Sequence, residues 1–383
     1  MKRPTLVAQA PHGKARERAA LSRAMAHFST LRVAPGAARK SAGLLAWLLG
    51  VAVLVFLMVS VGGVTRLTGS GLSITEWRPI VGVLPPLSEA DWLDVFAKYQ
   101  QIPQYEHVNK GMSLDAFKTI FWWEWVHRFL GRLVAAALLL PFLYFLAAGQ
   151  ISRALMGRLA AIFALGGLQG LVGWYMVSSG LAERTEVSQY RLALHLGLAI
   201  LIFGALVWVA LSVEESQERS ATARPPHLGP AAAIAVLVFL QIVLGAFVAG
   251  LRAGASYNTW PLIDGRLVPE GLGAMEPWYL NLFENALTVQ FVHRLVAYGL
   301  VLIALWHAWS VRRSACHPLI RLSAAWLAGA ALAQAGLGIA TLLARVPLTL
   351  ALVHQAGAVA LFGLALWHLK AVLRPRLEAR PTA

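Results

Sequence analysis

The sequence predicts an all-α polytopic membrane protein with eight transmembrane helices, arranged as two tandem, parallel-repeat four-helix bundles with both termini inside. Three observations predict this fold class: long apolar segments, the placement of basic residues, and an internal repeat. Of the 383 residues, 58% are hydrophobic and only 13% are charged, whereas soluble domains carry about 25% charged residues. This composition indicates a chain that lies largely within lipid.

Eight apolar segments have about the twenty residues that a helix needs to cross the hydrocarbon core. They lie at 44–65, 125–147, 158–178, 192–212, 231–250, 287–309, 321–343 and 350–369. The predicted organisation is a basic tail (1–43), a first half (44–212), an inner linker (213–230), a second half (231–370) and a basic tail (371–383).

Basic residues predict the orientation, because Lys and Arg are enriched in cytoplasmic loops. They gather in both tails and in the loops near 149–158, 213–230 and 310–321. We therefore interpret the net charge of +15 as a topology signal, and we expect no nucleic-acid partner. The acid-poor tail 1–43 has a second interpretation, a mitochondrial transit peptide. The single cysteine, Cys316, excludes an internal disulfide and a cysteine-based metal cluster.

The long connections 66–124 and 251–286 are predicted to lie on the outer side, where their tryptophans suit a membrane interface. In the first of them, Ser88 and Asp91 form a capping-box pattern that predicts a helix start. The apolar residues that follow at helical spacing are Trp92, Val95, Phe96 and Tyr99. Two interpretations stay open, an amphipathic helix on the outer surface and a helix packed on the protein.

An internal repeat divides the eight segments into two sets of four. WVHRFLGRLVAAALLL (125–140) matches FVHRLVAYGLVLIALW (291–306), and LALHLGLAILIFGALVW (192–208) matches LALVHQAGAVALFGLALW (350–367). The other aligned pairs are Gly62 with Gly245, Gly71 with Gly254, Trp77 with Trp260 and Gln169 with Gln334. Because the unit has an even number of helices, both halves have the same orientation in the membrane.

Four of the 11 histidines occupy matching positions of the repeat: His127 and His195 in the first half, His293 and His354 in the second. The topology places each near the outer end of its helix. Paired histidines on facing helices form six-coordinate haem sites, so we predict the axial pairs His127–His195 and His293–His354. Zinc is the rival metal, but it normally takes more ligands than the two that each half offers.

Arginines follow two of the predicted ligands. Arg128 and Arg294 are candidates for binding haem propionates, because arginine binds carboxylates bidentately. Interfacial anchoring is the alternative, and Arg66 and Arg252 are weaker candidates for the same role.

The halves differ at Glu124, which shares a helix face with His127. The equivalent residue is Gln290. A carboxylate near the hydrocarbon boundary is costly unless it is used or paired, although many interfacial carboxylates are simply solvated. If both halves bind haem, this asymmetry assigns chemistry to the first half, where Glu124 would move protons or stabilise a developing cation. The second haem would be a fixed, electron-passing cofactor.

A further histidine pair allows a third haem near the inner side. His307 follows His293, and His368 follows His354, by the same interval of about 21 Å along a helix. Interfacial histidines are the alternative interpretation.

Taken together, these residues resemble the haem A synthase family over roughly residues 44–370. The resemblance rests on GGVTRLTGSGLSITEWRPI (62–80), EWVHR (124–128), LHLG (194–197), SYNTWPLIDG (256–265), FVHR (291–294) and VHQ (353–355). It implies oxidation of the C8 methyl of haem O to a formyl group by successive hydroxylations, with haem B as cofactor. A di-haem b-type transmembrane electron-transfer cytochrome is the alternative function, and a haem transporter is a third.

The resemblance also implies roles for single residues. His293 and His354 resemble the ligands of haem B, His127 and His195 resemble the pair flanking the substrate haem, and Glu124 resembles the catalytic acid. The implied partners are haem O, haem O synthase and oxidase-assembly factors, with self-association left open by Gly- and Ala-rich helix faces. The implied location is the bacterial inner membrane, haem sites toward the periplasm, or alternatively the mitochondrial inner membrane.

One departure from the family pattern is visible. Some members carry a cysteine pair in the first outer loop, and residues 66–124 contain no cysteine. The chain therefore resembles the branch shared by alphaproteobacteria and mitochondria, and thiol chemistry in that loop is excluded.

Overall fold

The computed structural model describes residues 35–77, 81–182, 184–213 and 225–374. Eight of its helices are long and apolar enough to cross a membrane. They are α1 (Pro35–Leu67), α2 (Leu114–Ala147), α3 (Arg153–Ala182), α4 (Gln189–Ala210), α5 (Leu228–Gly250), α6 (Ala286–Arg313), α7 (Pro318–Leu343) and α8 (Leu348–Leu373). The predicted all-α class with eight spans is confirmed, and the chain is a multi-pass membrane protein.

Helix bounds differ from the prediction where polar residues lengthen a helix. α2 begins at Leu114 and not near 125, because Ser113 accepts a hydrogen bond from Ala116 N at 3.3 Å and the charged first turns lower the hydropathy. α1 begins at Pro35, inside the predicted tail 1–43, and α8 continues to Leu373. The rest of both predicted tails, and residues 214–224 of the linker, lie outside the described residues.

The two halves have the same core packing. α1 packs against α2 and α4, α5 packs against α6 and α8, and the third helix of each half packs against the fourth. Within the described residues, α2 does not pack along α4, and α6 does not pack along α8. The second and fourth helices, which carry the predicted ligands, are therefore not packed along their length in the described part of either half, although α6 and α8 touch through the side chains of His307 and His368.

The halves meet through α1, α4, α5 and α8, and the central contact is reciprocal. Phe362 of α8 lies over Gly204 of α4, where an added Cβ would come within 2.8 Å of the ring. Phe203 lies over Gly363 in turn, at 3.4 Å by the same measure. These residues are the aligned Phe-Gly pairs of the repeat, so the contact is consistent with two parallel halves. The inside location of both termini stays a prediction.

The two halves differ in how the second and third helices pack. α6 packs along α7, whereas α2 and α3 do not pack along each other in the described structure. The rings of Phe142 and Phe163 join α2 and α3 with centroids 5.2 Å apart, near the helix ends joined by the short 148–152 connection. Along α3, Gly166, Gly167 and Gly170 face open space. The side of the first half between α2 and α3 is therefore more open than the matching side of the second half, where α6 packs along α7.

The first outer loop folds onto the extension of α2. Its helix Glu89–Tyr99 begins with the predicted capping box, in which Ser88 Oγ accepts from Asp91 N at 3.1 Å and Asp91 Oδ2 accepts from Ser88 N at 3.0 Å. These hydrogen bonds lower the pKa of Asp91. Tyr99 is fully buried against Phe117 of α2. The packed-helix interpretation is therefore supported, and a position at the membrane surface stays a prediction.

We expect the Phe362–Gly204 contact to be essential for joining the halves. The substitution Gly204→Ala should destabilise the protein by about 1–3 kcal/mol, because a tightly packed contact resists an added methyl group. Gly166→Ala, which adds the same group to open space, should be neutral or stabilising by up to about 1 kcal/mol through helix propensity. Thermal unfolding in detergent measures both, and equal midpoints for the two variants would contradict the prediction.

Candidate functional site

The imidazole of each of the four predicted ligands packs against a glycine of a neighbouring helix, which we call its glycine seat. The pairs are His127 on Gly62, His195 on Gly173, His293 on Gly245, and His354 on Gly338. A Cβ added to these glycines would come within 2.9, 2.9, 3.3 and 2.9 Å of the respective imidazole Cε1. At Gly62, Gly173 and Gly338 a side chain would overlap the ring, and at Gly245 it would force the ring to shift, so four equivalent seats position four imidazoles.

The histidines of each predicted axial pair interact electrostatically, and the axial pairing itself stays a prediction. His127 lies within electrostatic range of His195, and His293 within range of His354. Each pair comes from the two helices of its half that do not pack on each other. Such facing imidazoles between separated helices fit a haem with two axial histidines. Among the described residues no group of three or more His, Cys, Asp or Glu is placed to hold a metal ion, so the zinc alternative has too few ligands.

Glutamines orient three of the four imidazoles. The Nε2 atoms of Gln169, Gln241 and Gln334 lie 3.2, 3.1 and 3.1 Å from the Nδ1 atoms of His195, His293 and His354. Each amide also donates to the backbone carbonyl of the same histidine. The amide nitrogens of Gln169 and Gln241 lie nearly as close to the Nε2 atoms of His195 and His293, at 3.4 and 3.2 Å, so each amide lies beside the ring and not on Nδ1 alone. Each glutamine lies one helical turn before its glycine seat. Gln241 was not predicted from the sequence, although the Gln-x-x-x-Gly spacing at Gln169 and Gln334 recurs at Gln241 and Gly245.

Glu124 is buried, 4% exposed, and both of its oxygens are occupied. Oε2 accepts from Ser73 Oγ and Ile74 N, each at 2.8 Å. Oε1 accepts from Arg128 Nε at 3.1 Å and Nη2 at 2.7 Å. Arg128 also donates to the carbonyls of Ile74 and Glu76. The pair is a buried ion pair that holds residues 73–76 of the outer loop against α2.

The second half repeats this arrangement without the charge. Gln290 donates to the carbonyls of Ala253 and Tyr257 at 2.9 and 2.7 Å, and Arg294 donates to Gln290 Oε1 at 2.9 Å. Tyr257 is the repeat counterpart of Ile74. Arg294 is buried, and its Nε and Nη1 atoms have no hydrogen-bond partner in the described structure. Arg294 thus has donors free for a carboxylate such as a propionate, whereas the Arg128 guanidinium is neutralised by Glu124.

The two weaker arginine candidates contact a common acid. Arg66 and Arg252 both contact Glu186, which lies in the connection between α3 and α4, and Arg66 also donates to the carbonyl of Ala249. These contacts join the outer loops of the two halves. Their contribution to propionate binding stays a prediction.

The inner histidines are buried and touch each other directly. His307 Nε2 lies 2.7 Å from His368 Nε2, and His368 Nδ1 lies 2.8 Å from Ser323 Oγ. Two imidazoles that share an iron are about 4 Å apart, twice a metal–nitrogen bond of about 2 Å. No porphyrin fits between these rings, so the third-haem interpretation is wrong and the pair is a hydrogen-bonded core contact.

Fold and site together define a multi-pass membrane protein of two similar halves, each with a glycine-seated histidine pair. The chain belongs to the COX15-CtaA family, described as cytochrome oxidase assembly protein, whose model matches residues 45–366. The resemblance noted in the sequence is thereby confirmed.

Three relatives carry the name heme A synthase. The protein of Parvibaculum lavamentivorans is 58% identical over 322 residues, covering 84% of this chain and 92% of its own length. That of Bradyrhizobium diazoefficiens is 54% identical over 340 residues, covering 88% and 92%. That of Rhodospirillum centenum is 52% identical over 332 residues, covering 86% and 88%.

The direct contact of the inner histidines generates a prediction. The double substitution of His307 and His368 by Phe should leave haem content unchanged, because neither imidazole binds iron. The pyridine haemochrome of the purified protein measures this, with His293→Ala as the variant expected to lose haem. A loss of haem from a folded double variant would contradict our interpretation.

Proposed function

We propose that this protein oxidises the C8 methyl of haem O to a formyl group by successive hydroxylations, with a bis-histidine haem B as cofactor. As a family member it is a membrane oxidoreductase of haem A biosynthesis, with haem O as its substrate. The observation that carries the finer proposal is the set of four glycine-seated histidines. They form two sites of one design, as a reaction between a substrate haem and a cofactor haem requires.

We assign haem B to the second half. His293 and His354 would be its axial ligands, and Arg294 would bind a propionate through donors that have no partner in the part of the chain that the structure describes. The packing of α6 along α7 favours retention of a resident group. Haem B bound there supplies one-electron transfer.

We assign haem O to the first half, between His127 and His195. The open side between α2 and α3 suits a substrate that carries a long isoprenoid chain and comes from the lipid phase. The glycines of α3 next to this opening leave room for an apolar chain. Arg128 remains a candidate for contact with a propionate, although Glu124 already neutralises its charge.

Glu124 is the residue we expect the reaction to depend on. Its four hydrogen bonds support a positioning role, in which the carboxylate holds residues 73–76 and Arg128 beside the substrate. The family resemblance gives it a further role as the catalytic acid. In that role it would have to exchange one of these contacts for the substrate.

The proposed setting follows from the same assignments. The relatives compared are bacterial, and we propose the bacterial inner membrane, with the haem sites toward the periplasm. Haem O synthase and oxidase-assembly factors are the partners we expect. The di-haem cytochrome alternative has lost its main argument, because His307 and His368 bind each other.

Glu124→Gln tests the first half. An amide cannot accept from Ile74 N, Ser73 and Arg128 together, and a buried unpaired donor costs about 1–3 kcal/mol. We expect haem A production to fall about tenfold or more, while haem B content stays at the parental level. The matched control is Gln290→Glu, whose carboxylate would face two carbonyls and should lower haem B content. Parental haem A output from Glu124→Gln would show that the carboxylate is dispensable.

Alanine substitutions of single histidines separate the two sites. His293→Ala should lose haem B, because an axial ligand is removed. His127→Ala should retain haem B and stop haem A formation, because only the substrate site is changed. Extracted pigments, separated chromatographically, measure both results. Loss of haem B from a folded His127→Ala variant would reverse the assignment of the halves.

A further inference from the structure

The first predicted ligand lacks the glutamine that the other three have. Met58 occupies the position one turn before Gly62 that Gln241 occupies before Gly245. The Nδ1 atom of His127 is buried and has no hydrogen-bond partner among the described residues, unlike the Nδ1 atoms of the other three ligands. The two halves therefore differ at the residue that would form a hydrogen bond with Nδ1 and orient this imidazole.

The neighbouring residue is changed together with Met58. The Met58 thioether lies over Gly131 of α2, where an added Cβ would come within 3.2 Å of Met58 Cε. The repeat counterpart of Gly131 is Ala297. Met58 and Gly131 thus pack against each other one turn along α2 from His127. In the second half their positions are occupied by Gln241 and Ala297.

The difference matters because a ligating histidine normally makes a hydrogen bond through its second ring nitrogen. That bond fixes the ring orientation and raises the basicity of the ligand, and its loss typically lowers metal affinity about 10–100-fold. The Nδ1 of an iron-bound imidazole carries the proton and donates, so the amide would have to turn and present Oε1 to it, giving up its bond to the histidine carbonyl. The Oε1 atoms of Gln169 and Gln241 have no other partner among the described residues. A thioether is only a weak acceptor.

We propose that Met58 makes His127 the weak, exchangeable axial ligand of the substrate haem. Met58 is a positioning residue that acts through His127, and the inference rests on the proposed function. A substrate site must release a haem after every reaction, whereas the cofactor site must retain one. Gln241 strengthens His293 in the retaining site, and its absence beside His127 favours release.

The test replaces residues beside one histidine by their repeat counterparts beside the other. The variant Met58→Gln/Gly131→Ala rebuilds the Gln241–Ala297 arrangement beside His127. Gln241→Met makes the reverse change beside His293, and Met58→Leu keeps an apolar side chain without a new hydrogen bond. Each protein, purified in detergent and loaded with added haem O, is mixed with excess apomyoglobin, and the transfer rates of haem O and haem B are followed separately.

We expect the double variant to release haem O about 10–100-fold more slowly, with haem B release unchanged. Gln241→Met should release haem B faster by a similar factor, and Met58→Leu should behave as the parent. The midpoint potential of the substrate haem should fall in the double variant only, because a more basic imidazole stabilises the ferric state. A purely structural role of Met58 would not produce this shift.

Three results would overturn the inference. They are parental haem O release from a folded double variant, equal slowing by Met58→Leu, and unchanged haem B release from Gln241→Met. The last also decides the case if the double variant does not fold. Failure of the proposed function is distinguishable, because the parent itself would then neither bind haem O nor form haem A.

Discussion

The contact between an imidazole and a glycine of the next helix is the constraint on which both candidate sites depend. A side chain at Gly62, Gly173, Gly245 or Gly338 would occupy the space of the ring. The seat sets the depth and rotation of each histidine, and it requires the first helix to pack on the second and the third on the fourth. Each half contains two of these four contacts, and they account for which of its helices pack on each other.

That packing order also explains where the protein is open. The second and fourth helices, which hold the predicted ligands, do not pack along each other among the described residues, and α6 and α8 touch only through side chains such as His307 and His368. The free energy of holding the halves together must come from other helices, and α1, α4, α5 and α8 supply it through contacts such as Phe362 on Gly204. The helices that join the two halves pack closely against one another. The gaps beside the predicted ligands lie between other helix pairs, α2 with α4 and α6 with α8.

The sequence predicts the features that depend on composition and period. Eight apolar segments predicted eight helices, and the repeat predicted the two histidine pairs. The early start of α2 was missed because Asp115 and Lys118 hide an amphipathic extension from a hydropathy average. The His307–His368 contact could not be predicted, because spacing along one helix does not fix the distance to another.

Side-chain pairing within the site was likewise beyond the sequence. Glu124 and Arg128 are separated by one helical turn, but only the structure shows that both bind the backbone near Ile74. In the second half the same loop presents carbonyls to Gln290. The loop groups that face this side chain differ between the halves as well. Glu124 accepts a hydrogen bond from the loop, whereas Gln290 donates to it, so the Glu-to-Gln difference changes both the charge and the direction of the hydrogen bond.

Three differences between the halves point in one direction. Met58 removes a hydrogen bond from His127, Glu124 neutralises Arg128, and α2 stands apart from α3. A hydrogen bond contributes about 1 kcal/mol, and one to a charged group about 1.5–3 kcal/mol. Since each 1.4 kcal/mol is tenfold in affinity, the first two differences together would, under the proposed function, lower haem affinity roughly 60- to 700-fold. Under the proposed function, duplication produced two equal haem sites, and loss of anchoring interactions made one of them a site of exchange.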